Sequence, residues 1–147
     1  MDSTTRIAIE NAITLEREAY KLYSNMNRQT TLKNEQQMLT DLAIQELKHE
    51  RLLKEILNCE DFDLAKKKID SEHPITSRII DEFDPNETIA YIDETFDFAI
   101  EQEKKALNIY LDLLEKSDSE ELKKLFKFLI KEETTHKLIL EKERANI

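Results

Sequence analysis

Apolar side chains recur every three or four residues along most of the chain, which is the spacing of one face of an α-helix. The pattern predicts four long helices, at about 4 to 28, 32 to 58, 87 to 116 and 118 to 145. The first two are separated by only a few residues, as are the last two, so each pair is expected to form an antiparallel hairpin. Residues 59 to 86 hold both prolines and are long enough for a crossover that could include one or two short helices. The sequence therefore predicts an all-α four-helix bundle of two hairpins joined by a long crossover.

Signals for helix ends are present at two of these boundaries. Ser117 followed by Glu120 fits a capping box at the start of the last helix, and Asn86 after Pro85 fits the start of the third. The chain contains no glycine. Helix stop signals of the glycine type are therefore absent.

The two predicted hairpins repeat each other. A shift of 87 positions lays AITLEREAYKLY (12 to 23) over AIEQEKKALNIY (99 to 110) and LAIQELKHERLL (42 to 53) over LIKEETTHKLIL (129 to 140). The same shift pairs Glu16 with Glu103, Glu46 with Glu133, and His49 with His136. We infer that the two halves of the chain are built alike.

These six residues interrupt apolar seams. The second helix reads Leu42, Glu46, His49, Leu53 and the fourth reads Leu129, Glu133, His136, Leu140, while Glu16 and Glu103 lie mid-seam in the first and third helices. One alternative is that the stripe drifts and the polar groups reach solvent. Another is a helix-surface pair of Glu46 with His49 worth a few tenths of a kcal/mol. Recurrence of the motif in register with the repeat favours a buried site over both.

Four carboxylates directed into one core would repel each other, and desolvating even one unpaired charge costs several kcal/mol. Since no Lys or Arg occupies these seam positions, internal salt bridges are a weak answer, and protonation is only a partial one. Two divalent cations balance the charge, and each histidine adds one nitrogen ligand. The sequence thus predicts a dimetal centre. Oxygen-rich coordination with one imidazole per ion suits iron first, then manganese, whereas zinc would make the site structural or hydrolytic.

Composition narrows the remaining possibilities. The chain has 147 residues, the size of one domain (1–147), with a net charge of -10 and no basic patch for nucleic acid or an anionic membrane surface. No apolar run approaches the roughly 20 residues needed to span a bilayer, and no signal-peptide pattern is present, so we expect a cytoplasmic protein. Cys59 is the single cysteine, which excludes an internal disulfide and a self-contained iron–sulfur centre; we interpret it as an incidental thiol at a helix end.

The six residues resemble the ligand set of the ferritin-like di-iron carboxylate proteins. Within that superfamily the chain most resembles the rubrerythrin family, because Glu16, Ala19 and Tyr23 repeat its Glu-x-x-Ala-x-x-x-Tyr pattern. The resemblance implies a ferritin-like bundle with two iron ions that reduces peroxide or dioxygen, and a homodimer is expected by base rate. A ferroxidase or iron-handling role is the alternative, and a metal-free scaffold is a third.

Two departures from the rubrerythrin pattern affect what the resemblance implies. Full-length rubrerythrins carry a Cys-rich rubredoxin domain that supplies electrons, whereas this sequence has one cysteine. Electrons would therefore come from a separate carrier protein. Rubrerythrins also usually have an extra glutamate three residues after the ligand of the third helix, and this chain has Ala106 there.

Other residues near the seams have simpler interpretations. Tyr20, Tyr23 and Tyr110 could donate hydrogen bonds to the ligands or act as redox-active phenols, but core packing is the favoured role for each. Glu18 and Glu101 lie off the seam and are expected to be solvated, and His73 is expected at the surface. The run AKKKID (65 to 70) is interpreted as a solvated helix face, with docking of an acidic electron donor as the alternative.

Overall fold

The protein is described by a computed structural model over residues 1–72 and 92–146, with side chains in the second part from Thr95 onward. These residues form five helices and no strand: α1 Ser3–Gln29, α2 Lys33–Cys59, α3 Phe62–Asp70, α4 Ile92–Lys116 and α5 Glu120–Ala145. The prediction of an all-α ferritin-like bundle is confirmed. Helix α3 confirms one short helix in the crossover, while His73, the Asn86 start signal and the first residues predicted for the third helix lie outside the described residues.

Helix ends follow ordinary capping chemistry, with one correction to the sequence prediction. Ser119, not Ser117, caps α5, and its hydroxyl oxygen accepts from the Leu122 N–H at 3.3 Å. The first backbone bond of α5 runs from the Lys123 N–H to the Ser119 carbonyl at 3.0 Å, whereas the Ser117 N–H still bonds back to the Leu114 carbonyl of α4. With no glycine to end α2, Glu60 takes the left-handed conformation at φ 51°, where glycine is usually found.

The helices pack as two hairpins. Helix α1 packs against α2, and α4 packs against α5, each across a connection of three residues, while α1 also contacts α4. Helix α3 lies against both α2 and α5 and so covers one end of the bundle. Cys59 is the last residue of α2 and is half-buried, at a helix end as predicted. No helix in the described ranges is both long enough and apolar enough to cross a bilayer.

The apolar core consists of two clusters separated by a polar layer. The upper cluster comprises Tyr20, Tyr23, Met26, Leu39, Leu42, Ala43, Leu47, Phe96, Ala99, Ile100 and Leu140. The lower cluster comprises Ile9, Ala12, Leu52, Leu53, Ile56, Ala65, Ile69, Tyr110, Leu122, Leu125, Phe126 and Leu129. The six interrupting residues of the seams fall between these clusters.

The internal repeat exchanges the two clusters. Tyr23 of the upper cluster corresponds to Tyr110 of the lower cluster, and Leu53 of the lower cluster corresponds to Leu140 of the upper one. This exchange is what a pseudo-two-fold axis across the bundle produces. The axis runs through the polar layer, so each half of the chain contributes equivalent side chains to it.

Candidate metal centre

The polar layer brings together all six residues that the sequence singled out. Each is buried, with at most 3 % of the residue exposed. They form two overlapping groups whose potential ligand atoms lie within 4.8 Å of one another. One group contains Glu16, Glu46, His49 and Glu133, and the other contains Glu46, Glu103, Glu133 and His136. Glu46 and Glu133 belong to both groups, which is the arrangement expected of two bridging carboxylates.

The histidine Nδ1 atoms point into these groups. His49 Nδ1 lies 3.0 Å from Glu133 Oε1 and 3.5 Å from Glu16 Oε2. His136 Nδ1 lies 2.5 Å from Glu46 Oε1 and 3.2 Å from Glu133 Oε2. The two imidazole rings are stacked, with centroids 5.6 Å apart. Each histidine therefore faces the carboxylates with the same nitrogen.

Several of these buried atoms have no hydrogen-bond partner. They are Glu16 Oε2, Glu46 Oε1, Glu103 Oε2, Glu133 Oε2 and His136 Nδ1. His136 Nδ1 and Glu46 Oε1 are close, but the contact does not have the geometry of a hydrogen bond. Leaving a buried polar atom unsatisfied typically costs about 1–3 kcal/mol. Carboxylate oxygens and an imidazole nitrogen converging in this way fit a pair of divalent cations, and the oxygen-rich set suits iron or manganese.

Two tyrosines hold the outer carboxylates in place. The Tyr23 hydroxyl donates to Glu103 Oε1, and the Tyr110 hydroxyl donates to Glu16 Oε1 at 2.5 Å. In each carboxylate the oxygen bonded to tyrosine is thereby fixed, and the other oxygen is the one left without a partner. Core packing, which the sequence favoured for these tyrosines, is thus only part of their role. Tyr20 packs in the upper cluster instead, with the Arg17 guanidinium 5.2 Å above its ring.

The carboxyl groups of the polar layer differ in pKa, so they differ in how strongly they hold a proton. Burial, together with the neighbouring carboxylates, raises the pKa of Glu46 and Glu103 well above 4.5 and raises that of Glu16 as well. Burial also acts to raise the pKa of Glu133, but its close contacts with Glu103, His136 and His49 outweigh burial and hold the pKa well below 4.5.

His49 shifts against its own burial. Desolvation acts to lower its pKa, but the negative charge of Glu16 and contacts with Glu132 and Glu133 raise it well above 6.5. Without a cation, protons therefore supply part of the positive charge that the layer needs.

Two functional contacts were missed from the sequence. His136 Nε2 lies 2.6 Å from Gln45 Oε1, and His49 Nε2 lies 3.6 Å from Glu132 Oε1. Gln45 and Glu132 each precede the glutamate of a Glu-x-x-His motif and occupy equivalent positions in the repeat. They were overlooked because each lies one residue off its seam and contacts the histidine of the opposite hairpin. The repeat itself was the signal that could have found them.

A small gap adjoins the polar layer on the side of α1 and α4. Its volume is about 10 Å³, enough for at most one water molecule. It is lined by Leu15, Glu16, Ala19, Glu46, Gln102, Glu103, Ala106 and Glu133. Ala106, the position where rubrerythrins usually have an extra glutamate, therefore lies beside the gap.

Glu18 and Glu101, the off-seam acids of α1 and α4, are exposed as predicted. The Lys-rich run AKKKID forms part of α3, where Ala65 and Ile69 are buried and Lys67 and Lys68 are exposed. This segment is therefore an amphipathic helix with a solvated basic face, as expected.

Comparison with known families gives one match over almost the entire chain. The family model described as Rubrerythrin matches residues 8–144. The matched segment contains all six residues of the polar layer and both tyrosines that donate to it. No curated protein matches the chain, and no solved structure matches it.

Proposed function

Because the chain belongs to the rubrerythrin family, we propose that it is a non-haem di-iron oxidoreductase that reduces peroxide or dioxygen with electrons from a separate carrier. The observation that carries this proposal is the pair of overlapping ligand groups sharing Glu46 and Glu133. Their unpartnered buried oxygens are difficult to explain in a structural bundle, since a core without a metal would favour apolar or fully bonded side chains there.

In the proposed centre each residue has a definite task. Glu46 and Glu133 would be shared by the two metal positions, and His49 and His136 would each provide one position with a nitrogen through Nδ1. Glu16 and Glu103 would each add a carboxylate to one position. When bound, a ferrous pair supplies two electrons to peroxide or dioxygen. The same donors could also hold manganese or zinc, of which zinc would supply no redox chemistry.

The surrounding side chains position the ligands and bury them. Burial raises the pKa of Tyr23 and Tyr110 well above 10, so both hydroxyls keep their protons. They therefore act as fixed hydrogen-bond donors to Glu103 and Glu16. The upper and lower clusters close the layer from both ends of the bundle, which strengthens electrostatic interactions inside it.

The gap on the side of α1 and α4 would admit only a very small substrate. Pockets for organic molecules typically measure about 300–1,000 Å³, whereas the gap beside Glu16 and Glu103 is about 10 Å³. Peroxide and dioxygen each have two non-hydrogen atoms. We propose that they reach the centre from this side, between α1 and α4, where the short side chains of Ala19 and Ala106 line the gap.

The test is metal loading followed by rapid mixing. Protein made in iron-supplemented medium is expected to hold two iron ions per chain, and peroxide added to the reduced form is expected to oxidise both in a stopped-flow measurement. Glu46→Ala should abolish loading, while Glu18→Ala, which alters an exposed acid, should not. Fewer than one metal per chain under every loading condition would refute the dimetal centre. Metal binding without oxidation by either oxidant would refute the enzyme alone.

The same experiment separates the iron-handling alternative. A peroxidase retains stoichiometric iron through repeated cycles of peroxide and reductant. A ferroxidase oxidises iron with dioxygen and then releases it or passes it to a mineral, so iron leaves the chain after each cycle. Retention after several turnovers supports our proposal, and loss of iron in each turnover supports the alternative.

A further inference from the structure

The two histidines of the centre have different partners behind them. Tyr23 with Glu103 and Tyr110 with Glu16 are matched across the repeat, and so are the glutamates that face each Nδ1, Glu133 at His49 and Glu46 at His136. The Nε2 contacts differ in chemistry: an amide oxygen, Gln45 Oε1, faces His136, and a carboxylate oxygen, Glu132 Oε1, faces His49. At these two equivalent positions of the repeat, His136 therefore faces a neutral amide and His49 faces a charged carboxylate.

The hydrogen-bond chemistry fixes the orientation of the His136 ring. An amide oxygen can only accept, so His136 Nε2 carries the hydrogen and Nδ1 presents its lone pair to the carboxylates. At 3.6 Å, the Glu132 contact with His49 Nε2 is an ion-pair distance and not a hydrogen bond. Its influence on the ring is therefore chiefly that of a full negative charge held behind it.

The charges near Glu132 do not remove this difference. Glu132 and His49 line a cavity of about 130 Å³ beneath α3, which Lys48 and Lys66 also line. Lys66 is paired with Asp70 at 2.5 Å, so its charge is largely met within α3. Because Gln45 lines the same cavity, Lys48 lies near both partners and does not by itself distinguish the two histidines.

We propose that Glu132 is a positioning residue that makes the two metal positions unequal, so that the position served by His49 binds its divalent cation first and more tightly. This inference rests on the proposed dimetal centre. A carboxylate that accepts the N–H of a ligating imidazole increases the strength of that ligand, and loss of such partners typically lowers metal affinity about 10–100-fold. Since the Glu132 contact is longer than a hydrogen bond and the Glu132 side chain is 32 % exposed, we expect the lower end of that range, about tenfold.

The decisive variant exchanges the two partners. Gln45→Glu combined with Glu132→Gln keeps the composition and net charge of the chain but moves the carboxylate from behind His49 to behind His136. Metal-free protein with ¹⁵N-labelled histidine is titrated with Zn²⁺, which needs no turnover and no redox step. The His49 ring is assigned through its edge contact with Phe128.

In the unaltered chain the first equivalent of Zn²⁺ should shift the Nδ1 resonance of His49, and the second equivalent should shift that of His136. In the exchanged variant the order should reverse. Calorimetry should show two binding constants about tenfold apart, which approach each other in Glu132→Gln. A purely structural role for Glu132 would weaken both steps together and would leave the order unchanged.

The outcomes separate this inference from the proposed function. If the unaltered chain binds no Zn²⁺ at either position, both the dimetal centre and the inequality fail. If two ions bind but the order survives the exchange, or Glu132→Gln leaves the ratio of constants unchanged, only the inequality fails. Should the double variant not fold, Gln45→Glu alone tests the same point, because it should raise affinity at the His136 position about tenfold.

Discussion

The two halves of the polar layer agree in the groups that point inward and differ in the groups behind them. Each half supplies one Glu-x-x-His motif, one further glutamate and one tyrosine that donates across the layer. They differ at Gln45 and Glu132, and also in cover, since α3 adds Ala65 and Ile69 to the lower cluster. The inward carboxylates and imidazoles form one buried charged cluster that must be balanced as a whole, which restricts their chemistry. The residues behind them need only hold a ring, so they can differentiate the two positions.

The largest effect should come from a residue that both ligand groups share. Glu46→Ala removes a bridging carboxylate and should lower affinity for both ions by more than about 100-fold, because losing a ligand exceeds the loss of an outer partner. Glu16→Ala should mainly affect the group containing His49, and Glu103→Ala the group containing His136. Isothermal titration with Mn²⁺ measures these losses. Equal weakening of both steps by all three variants would contradict the division into two groups.

Metal-free Glu46→Ala has a second expected property. Removing a buried acid whose ionisation is disfavoured should leave the free energy of unfolding unchanged or increased. Chemical denaturation of the metal-free variant measures this. A large destabilisation would mean that Glu46 is held by the bundle for packing and not for a ligand.

The next effect compares the two apolar clusters. Leu53 and Leu140 are repeat-equivalent and fully buried, and replacement of either by Ala should cost about 2–5 kcal/mol of unfolding free energy. We expect the higher cost at Leu53, because α3 closes the lower cluster and limits its collapse, whereas Leu140 lies near the end of α5. Denaturant unfolding measures both.

Leu138→Ala is the control for that pair. It alters a leucine of α5 that is 59 % exposed, and the cost should stay within about 0.5 kcal/mol. A larger cost at Leu140 than at Leu53 would show that α3 contributes little to the rigidity of the lower cluster.

The pH dependence of stability should have opposite signs without and with metal. In the metal-free protein, burial raises the pKa of Glu16, Glu46 and Glu103 above 4.5, and nearby carboxylates raise that of His49 above 6.5. For such groups the folded state binds the proton more tightly than the unfolded state does. Their stabilising contribution is complete below the unfolded pKa and is lost as pH rises through the folded pKa.

Stability of the metal-free chain should therefore fall as pH rises above about 4.5, by about 1.4 kcal/mol per pH unit for each proton involved. Glu133, whose pKa is lowered, acts in the opposite direction only below 4.5. With saturating metal the slope over the same interval should reverse, because cations bind the deprotonated ligands. Thermal melts between pH 5 and 8 check this, and parallel slopes would argue against metal and proton competing for one site.

The smallest effect concerns the paired tyrosines. Tyr23→Phe and Tyr110→Phe each remove one donor to a buried carboxylate and should each cost about 1–2 kcal/mol in the metal-loaded protein. Because the contacts are matched by the repeat, we expect the two costs to agree. Denaturant unfolding of the two variants and of their combination measures both size and additivity. A marked difference would mean that the two halves diverge inside the layer and not only behind it.

Much of this architecture could be predicted from the sequence because the relevant signals are periodic. Seams that repeat every three or four residues located the long helices, and the shift of 87 positions placed Glu46 with Glu133 and His49 with His136. Side-chain contacts between the two hairpins were harder to predict from the sequence. Gln45 and Glu132 lie off their seams, and only the packing of α2 beside α5 shows which histidine each one reaches.

Local competition also limited the prediction. Ser117 and Ser119 both suit a helix start. Which of them caps α5 depends on where the last backbone hydrogen bond of α4 ends, and apolar periodicity does not show this. The sequence favours core packing for the tyrosine side chains, because an aromatic residue on an apolar seam usually serves only to fill the core. The electron donor, the homodimer and the cytoplasmic location stay predictions.

The sharing of Glu46 and Glu133 has a mechanical consequence. Each ligand group takes three residues from one hairpin and its fourth from the other. In the proposed dimetal form, the two ions would thus fasten hairpin to hairpin, much as a pair of covalent cross-links would. A chain with one cysteine cannot form such a link within itself by oxidation. Removal of the ions by a chelator should accordingly weaken the packing between the two hairpins before the helices of either hairpin unfold.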